Sequence, residues 1–138
     1  MLDQTLMRCR GISLLLLMLA VSVCSAMAAD AASGITKEDL RVLIEFTDPT
    51  ILDVRTETDW KKSDFMIKGA LREGPEKVTS WLQKYPKEDT IILYCASPNV
   101  STSAGLAQRL KSKGFKKVYT LSGGWDEWMR SRYPIEGK

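Results

Sequence analysis

One cysteine of this chain stands where a thiol can act as a nucleophile. Residues 90–94 (Thr-Ile-Ile-Leu-Tyr) form a short apolar, β-branched run, which predicts a buried strand ending at Cys95. Residues 101–110 begin with small polar side chains and continue with leucines at helical spacing, so they predict a helix. Between a strand end and a helix start, a cysteine faces unpaired N–H groups and the positive end of the helix dipole. Both favour the thiolate, so Cys95 needs no histidine to become a nucleophile, and the chain has none.

The N-terminal segment, residues 1–28, has the features of a secretory signal peptide. Arg8 and Arg10 precede an apolar stretch over residues 12–23, and the small-x-small sequence at 26–28 is typical of a cleavage site. We therefore expect an exported protein, periplasmic or otherwise extracytoplasmic, whose signal peptide is removed.

Two alternatives for this segment are less well supported by the residues. An uncleaved membrane anchor would need roughly 20 apolar residues to span a bilayer, and this stretch is shorter. Acylation at Cys24 would be preceded by a small residue, whereas Val23 is bulky. Membrane contact is thus expected only through a signal segment left uncleaved, and the mature domain is expected to comprise residues 29–138.

Cleavage would leave Cys95 as the last cysteine, because Cys9 and Cys24 both lie in the signal segment. An intramolecular disulfide would then be impossible, although an exported protein meets an oxidising compartment. A CxxC relay is excluded as well. A solitary cysteine of this kind is either buried and inert or a functional free thiol, and the position of Cys95 favours the second.

Composition and charge exclude several other function classes. Residues 29–138 carry 18 basic and 16 acidic side chains, a net charge of +2 with the signs interspersed. The dense basic stretch at 111–117 is interpreted as the solvated end of a helix, and no basic-aromatic pattern predicts nucleic-acid binding. One cysteine, no histidine and scattered carboxylates make a poor ligand set, so no metal and no cofactor are expected. The length predicts one domain, expected to be a monomer.

Short strands and helices alternate along the predicted domain. A helix opens at Thr36, further helices follow near 57–60, over 75–85, over 101–110 and after 123–124, and strands are predicted at 51–54, 69–71, 90–94 and 117–121. This alternation is typical of a mainly parallel sheet covered on both faces. Ligands of such sheets bind at the carboxyl ends of the strands, where Cys95 is expected.

Five segments together resemble the rhodanese-like family, over residues 36–134. They are 52–55 (Leu-Asp-Val-Arg) with Asp59-Trp60, 67–70 (Ile-Lys-Gly-Ala), 93–95 (Leu-Tyr-Cys) with its loop, 114–119, and 121–124 (Leu-Ser-Gly-Gly) with Trp128. Each motif alone is common, and their order and spacing carry the resemblance. It implies an α/β fold, the rhodanese-like three-layer sandwich, with a mainly parallel sheet of about five strands and helices on both faces.

The resemblance also implies a chemistry, which is sulfur transfer. Cys95 would take a sulfane sulfur from a small donor, hold it as a persulfide and pass it to a thiol or protein acceptor. The Cys95 loop (residues 95–101) would cradle the anionic sulfur through the backbone N–H groups of Ala96, Ser97, Asn99, Val100 and Ser101.

Three charged residues are candidates for supporting this site. Asp53 and Arg55 would hold the Cys95 loop from the neighbouring strand end, the alternative being an ordinary ion pair. Arg72 would lend positive charge to the mouth of the pocket, the alternative being an exposed arginine.

The loop departs from many thiosulfate-using relatives, which have a basic residue where this chain has Val100 and a glycine where it has Pro98. Residues 96–100 carry no charge, so thiosulfate would lose a charge-assisted contact, about twice as strong as a neutral one. A persulfide or polysulfide donor is therefore favoured. The related phosphatases close a similar loop with an arginine, and its absence here speaks against phosphatase activity.

A second function class stays open beside the enzyme. The domain would then be a non-catalytic module for protein binding or sulfide sensing. The free cysteine at a strand end favours a sulfurtransferase, whereas the uncharged loop is compatible with the binding module.

Overall fold

The computed structural model describes residues 33–97 and 101–138, so the predicted signal peptide lies outside the described residues, as do Asn99 and Val100. The strands and helices are β1 (Ser33–Ile35), α1 (Lys37–Phe46), β2 (Thr50–Asp53), α2 (Glu57–Lys61), β3 (Phe65–Ile67), β4 (Leu71–Arg72), α3 (Val78–Trp81), β5 (Thr90–Tyr94), α4 (Ser101–Ser112), β6 (Lys117–Leu121), α5 (Gly124–Arg130) and β7 (Ile135–Gly137). Within the described ranges, no helix is long and apolar enough to cross a membrane.

The strand that precedes Cys95 lies in the middle of a five-stranded sheet. The strand order is β1-β6-β5-β2-β4, and every pairing in this sheet is parallel. β5 pairs with β2 on one side, where Leu93 faces Leu52, and with β6 on the other, where Leu93 faces Thr120. The carboxyl ends of all five strands therefore meet at one edge of the sheet, and Cys95 lies at the centre of that edge. The predicted α/β fold with a mainly parallel sheet is confirmed.

Alternating side chains of β5 divide the core into two layers. Ile91 and Leu93 pack in one cluster with residues of α3 and α4, whereas Ile92 and Tyr94 pack in another with residues of α1 and α5. All four side chains are fully buried. Burying an aliphatic side chain contributes about 1.5–3 kcal/mol, which explains why a strand covered on both faces is apolar throughout.

Two threonines begin the helices on the amino-terminal half of the chain. Thr36 accepts a hydrogen bond from the Asp39 N–H at 3.1 Å, and Thr56 accepts one from the Asp59 N–H at 3.2 Å. Such caps contribute about 1 kcal/mol each, because they satisfy an N–H that the helix leaves unpaired. The Thr56 cap fixes the start of α2 and so places Trp60 and the residues that follow it.

The structure departs from the sequence-based expectations in a few short elements. The helix predicted over 75–85 is a single α-turn, α3, between the 3₁₀ turns Pro75–Lys77 and Leu82–Lys84. The Trp81 indole donates to the Gly74 carbonyl at 2.9 Å and ties this segment to the end of β4. β3 and β7 form an antiparallel ribbon that was not predicted, because each strand is short and is stabilised by a partner distant in sequence.

Candidate active site

Cys95 leaves the end of β5 and is held against the first turn of α4. Its side chain is 4% exposed. The sulfur lies 3.3 Å from the Ser103 hydroxyl and 3.4 Å from the Ser97 carbonyl oxygen, to which the thiol donates. A thiolate has no hydrogen to give, so the Ser103 hydroxyl becomes the donor once the sulfur is ionised. The site therefore contains a side-chain donor for an anionic sulfur.

Ser103 was not among the selected site residues, because the sequence favours helix capping for the three hydroxyls at 101–103 and leaves donation to a persulfide as the alternative. The signal was present, because a Ser/Thr-rich helix start follows the cysteine. Which hydroxyl turns towards the sulfur depends on the rotation of α4 against β5. The side chain of Ser103 is 7% exposed, which is unusual for serine and shows that its hydroxyl faces inward.

The start of the Cys95 loop is bound to the first turn of α5. The Trp125 N–H donates to the Cys95 carbonyl at 2.9 Å, and the Asp126 N–H donates to the Ala96 carbonyl at 3.0 Å. N–H groups at a helix start have no partner within the helix, so these two bonds satisfy α5 and fix the loop backbone together. Of the predicted cradle, the structure describes Ala96 and Ser97 and begins α4 at Ser101.

Gly124 allows α5 to approach the loop this closely. A Cβ at this position would lie 2.6 Å from the Cys95 carbonyl oxygen. The residue also has a φ of 57°, a left-handed conformation that favours glycine. The glycine pair 123–124 was interpreted from the sequence as a turn before a helix, and its contact with the cysteine was not predicted.

Asp53 and Arg55 form a buried ion pair beside Cys95's strand. The Arg55 Nη2 lies 2.6 Å from the Asp53 Oδ2, and both side chains are fully buried. The Tyr94 hydroxyl donates to the same Oδ2 at 2.6 Å. Burial, together with the negative charge of Asp53, raises the pKa of Tyr94 well above its usual range. Removing one partner of such a pair costs about 3–5 kcal/mol, because a buried charge is left uncompensated.

The Arg55 guanidinium is enclosed by two indole rings. Its central carbon lies 4.9 Å from the ring centroid of Trp60 and 4.5 Å from that of Trp125. Trp125 also stacks against Tyr94, with ring centroids 6.3 Å apart. The backbone N–H of Trp125 donates to the Cys95 carbonyl, so Trp125 connects the buried ion pair with the Cys95 loop.

Arg72 lies at the end of β4, next to β2. Its Nη1 donates to the Asp53 carbonyl at 3.0 Å and to the Arg55 carbonyl at 2.6 Å. Its guanidinium also covers the Trp60 ring at 4.9 Å. Its guanidinium also lies 4.0 Å from the Asp53 carboxylate and 3.7 Å from that of Glu57, so these contacts hold it against β2 and the start of α2.

A cavity of about 480 Å³ opens beside the loop, lined by Asp59, Lys62, Ser63, Ala96, Ser97, Trp125 and Asp126. The Lys62 ammonium lies 2.7 Å from Asp59. Hydrogen bonds from Lys62 and Thr56 lower the pKa of Asp59. Across residues 33–97 and 101–138, no group of three His, Cys, Asp or Glu side chains could hold a metal ion.

The protein is a parallel α/β sandwich, and a buried cysteine at the carboxyl end of its central strand faces a helix start. These features define a class of α/β proteins whose reactive cysteine begins a loop at this edge of the sheet. The model of the rhodanese-like domain matches residues 36–131, and the chain belongs to this family.

Relatives and solved structures agree with this assignment. The chain is 33% identical over 86 residues to the thiosulfate sulfurtransferase GlpE of Coxiella burnetii. The aligned residues cover 62% of this chain and 77% of the relative. It is 28% identical over 102 residues to GlpE of Glaesserella parasuis, covering 74% and 91%. The solution structure of a rhodanese-like domain from Anabaena has a TM-score of 0.66 at 28% identity, covering 76% of this chain and 79% of that one. The family is therefore one of sulfurtransferase type.

Proposed function

We propose that this protein is a sulfurtransferase that carries a sulfane sulfur on Cys95 as a persulfide. The observation that carries the proposal is the sulfur itself, buried at the end of β5 and 3.3 Å from the Ser103 hydroxyl. An inert core cysteine would be surrounded by apolar side chains, whereas this one has a hydroxyl donor and a loop tied down by α5. The names of the relatives, thiosulfate sulfurtransferases, also support it.

In the loading step, the Cys95 thiolate attacks the outer sulfur of a donor persulfide, R–S–SH. A Cys95 S–S bond forms while the RS–S bond breaks, and the electron pair of the broken bond leaves with R–S⁻. In the second step an acceptor thiolate attacks the outer sulfur of the Cys95 persulfide, and Cys95 returns as thiolate. The transferred sulfur carries its oxidation state with it, so neither step needs an external oxidant.

The donor is proposed to be a persulfide or polysulfide rather than thiosulfate. Thiosulfate brings a sulfonate, whose oxygens require cationic or N–H donors. The two arginines selected from the sequence as support for the site are committed, since Arg55 is fully buried against Asp53 and Arg72 donates to backbone carbonyls. Thiosulfate, named for the relatives, is the second candidate donor.

Single-turnover loading tests the proposal. The purified protein is mixed with a small-molecule persulfide or with thiosulfate, and intact mass is followed for the addition of one sulfur atom. We expect loading by the persulfide, slower loading by thiosulfate, and none in Cys95→Ser. Fast loading by thiosulfate would overturn the donor preference alone. Loading by neither donor would overturn the enzyme and favour a binding module.

A further inference from the structure

The cavity beside the Cys95 loop has an uneven distribution of charge. Among the residues that the structure describes, three ionisable side chains line it, and two of them, Asp59 and Asp126, are carboxylates against one ammonium, Lys62. The cavity wall therefore carries one net negative charge next to Ala96 and Ser97, the residues that directly follow the cysteine.

The cation of this wall is already engaged. Lys62 lies 2.7 Å from Asp59, and the two charges compensate each other. The Asp126 carboxylate, by contrast, belongs to an exposed residue and pairs with no side chain in the described ranges. Its backbone N–H donates to the Ala96 carbonyl, so the residue is fixed against the loop. The uncompensated charge of the cavity is thus that of Asp126.

A second cavity of about 460 Å³ extends the first along α5. It shares Lys62, Ser63, Trp125 and Asp126 with the first and adds Met129 and Arg130. The Arg130 Nε donates to the Asp126 carbonyl at 3.2 Å, which places the second cation one helical turn beyond the loop. The two cavities together form a groove that is negative at the loop and positive farther along α5.

We propose that this groove binds the carrier part of the sulfur donor and selects a thiol persulfide that bears an ammonium group. The inference rests on the proposed function, since it concerns the donor of the same reaction. The donor's ammonium pairs with Asp126 while its outer sulfur reaches Cys95. A carboxylate on the same carrier is tolerated where it extends towards Arg130, so an amino-acid thiol persulfide fits both ends. Thiosulfate, a dianion, meets the negative end of the groove first.

Donors of matched size test this selection. The persulfides of cysteamine, 2-mercaptoethanol and 3-mercaptopropionate carry an ammonium, a neutral hydroxyl and a carboxylate, respectively. Loading rates at low ionic strength, each divided by the rate of the same donor with a neutral small-molecule thiol, are expected to fall in that order, by about two- to fivefold per step, the size of exposed ion-pair effects. The differences should shrink at high salt, because the charges are exposed and screened.

Asp126→Asn removes the charge while keeping the size and the N–H that binds Ala96. It is expected to lower the ratio of the rate with cysteamine persulfide to the rate with 2-mercaptoethanol persulfide about two- to fivefold. Glu127→Gln is the matched control, because it makes the same charge change on the next residue. The Glu127 carboxylate lies 3.5 Å from Lys37 and lines neither cavity.

The outcomes separate the inference from the proposed function. Equal normalised rates for the three persulfides, or equal effects of Asp126→Asn and Glu127→Gln, would overturn the selection by the groove while sulfur transfer stands. Absence of loading by every donor would overturn the transfer itself. A circular-dichroism melt of each variant shows that the compared proteins are equally folded.

Discussion

Replacing Gly124 with alanine tests whether the contact between α5 and the loop holds the reactive cysteine. The added Cβ would lie 2.6 Å from the Cys95 carbonyl oxygen, well inside the 3.4 Å at which ordinary van der Waals contact begins. The left-handed backbone adds about 1–2 kcal/mol of strain for any residue with a Cβ. We expect α5 or the loop to move by a large fraction of an ångström. A displacement of about 1 Å can cost roughly 100-fold in a positioned reaction, so loading should slow by about 10- to 100-fold.

Two other glycines separate the causes of this effect. Gly69 has a φ of 78°, and a Cβ there meets nothing within 4 Å, so Gly69→Ala introduces strain without a close contact. Gly105 lies in α4 with open space around it, so Gly105→Ala introduces neither and should stabilise the helix by about 0.5–1 kcal/mol.

The assay has two parts, urea unfolding for stability and single-turnover loading of Cys95 for function. Gly124→Ala and Gly69→Ala should both lose stability, but only Gly124→Ala should lose loading rate beyond its loss of folded protein. If the two variants load at the same rate, the helix–loop contact does not position the cysteine, and the reasoning is refuted.

Three further predictions concern Ser103, Tyr94 and the start of the mature chain. Ser103→Ala should slow loading about 10- to 150-fold, since hydrogen bonds to charged groups contribute about 1.5–3 kcal/mol. Ser112→Ala at the far end of α4 should leave the rate unchanged, and equal rates for the two variants would exclude a role for the Ser103 hydroxyl. Tyr94→Phe should cost about 1–3 kcal/mol at neutral pH, measured by urea unfolding. Because its pKa is raised in the folded state, Tyr94 stays protonated where the unfolded chain ionises, so stability should fall above about pH 10 and the variant should show a shallower fall. The protein from its native host should begin near Ala29; an intact Met1 on sequencing would contradict export.

Strong local signals made much of the fold predictable. The run before Cys95 is apolar on both alternating faces, and only a central parallel strand buries both. Thr36 is of a residue type that commonly caps helices, and in the structure its side chain accepts a hydrogen bond from the Asp39 N–H at the start of α1. The position of Cys95 between strand and helix followed from these elements alone.

The contacts of the site were less predictable, because they depend on how distant segments dock. From the sequence, Gly124 is interpreted as a turn residue. Its close approach to the Cys95 carbonyl is visible only in the tertiary structure, where α5 packs against the loop. The sequence favours helix capping for Ser103, and its contact with the Cys95 sulfur depends on how α4 is rotated about its axis against β5. An ion pair of Asp53 and Arg55 was the alternative to their support of the loop, and its enclosure by indole rings from α2 and α5 required the tertiary structure.

The two hydrogen bonds from α5 make the chemistry of Cys95 dependent on local opening. α5 has seven residues, too few to be stable without its packing, so its position depends on the core contacts of Trp125 and Trp128. Detachment would release the Cys95 and Ala96 carbonyls while β5 stayed in place. The sheet would then stay paired while the loop that holds Cys95 is released, and the protein would be inactive. Hydrogen exchange at the Trp125 and Asp126 amides therefore reports the fraction of molecules able to react.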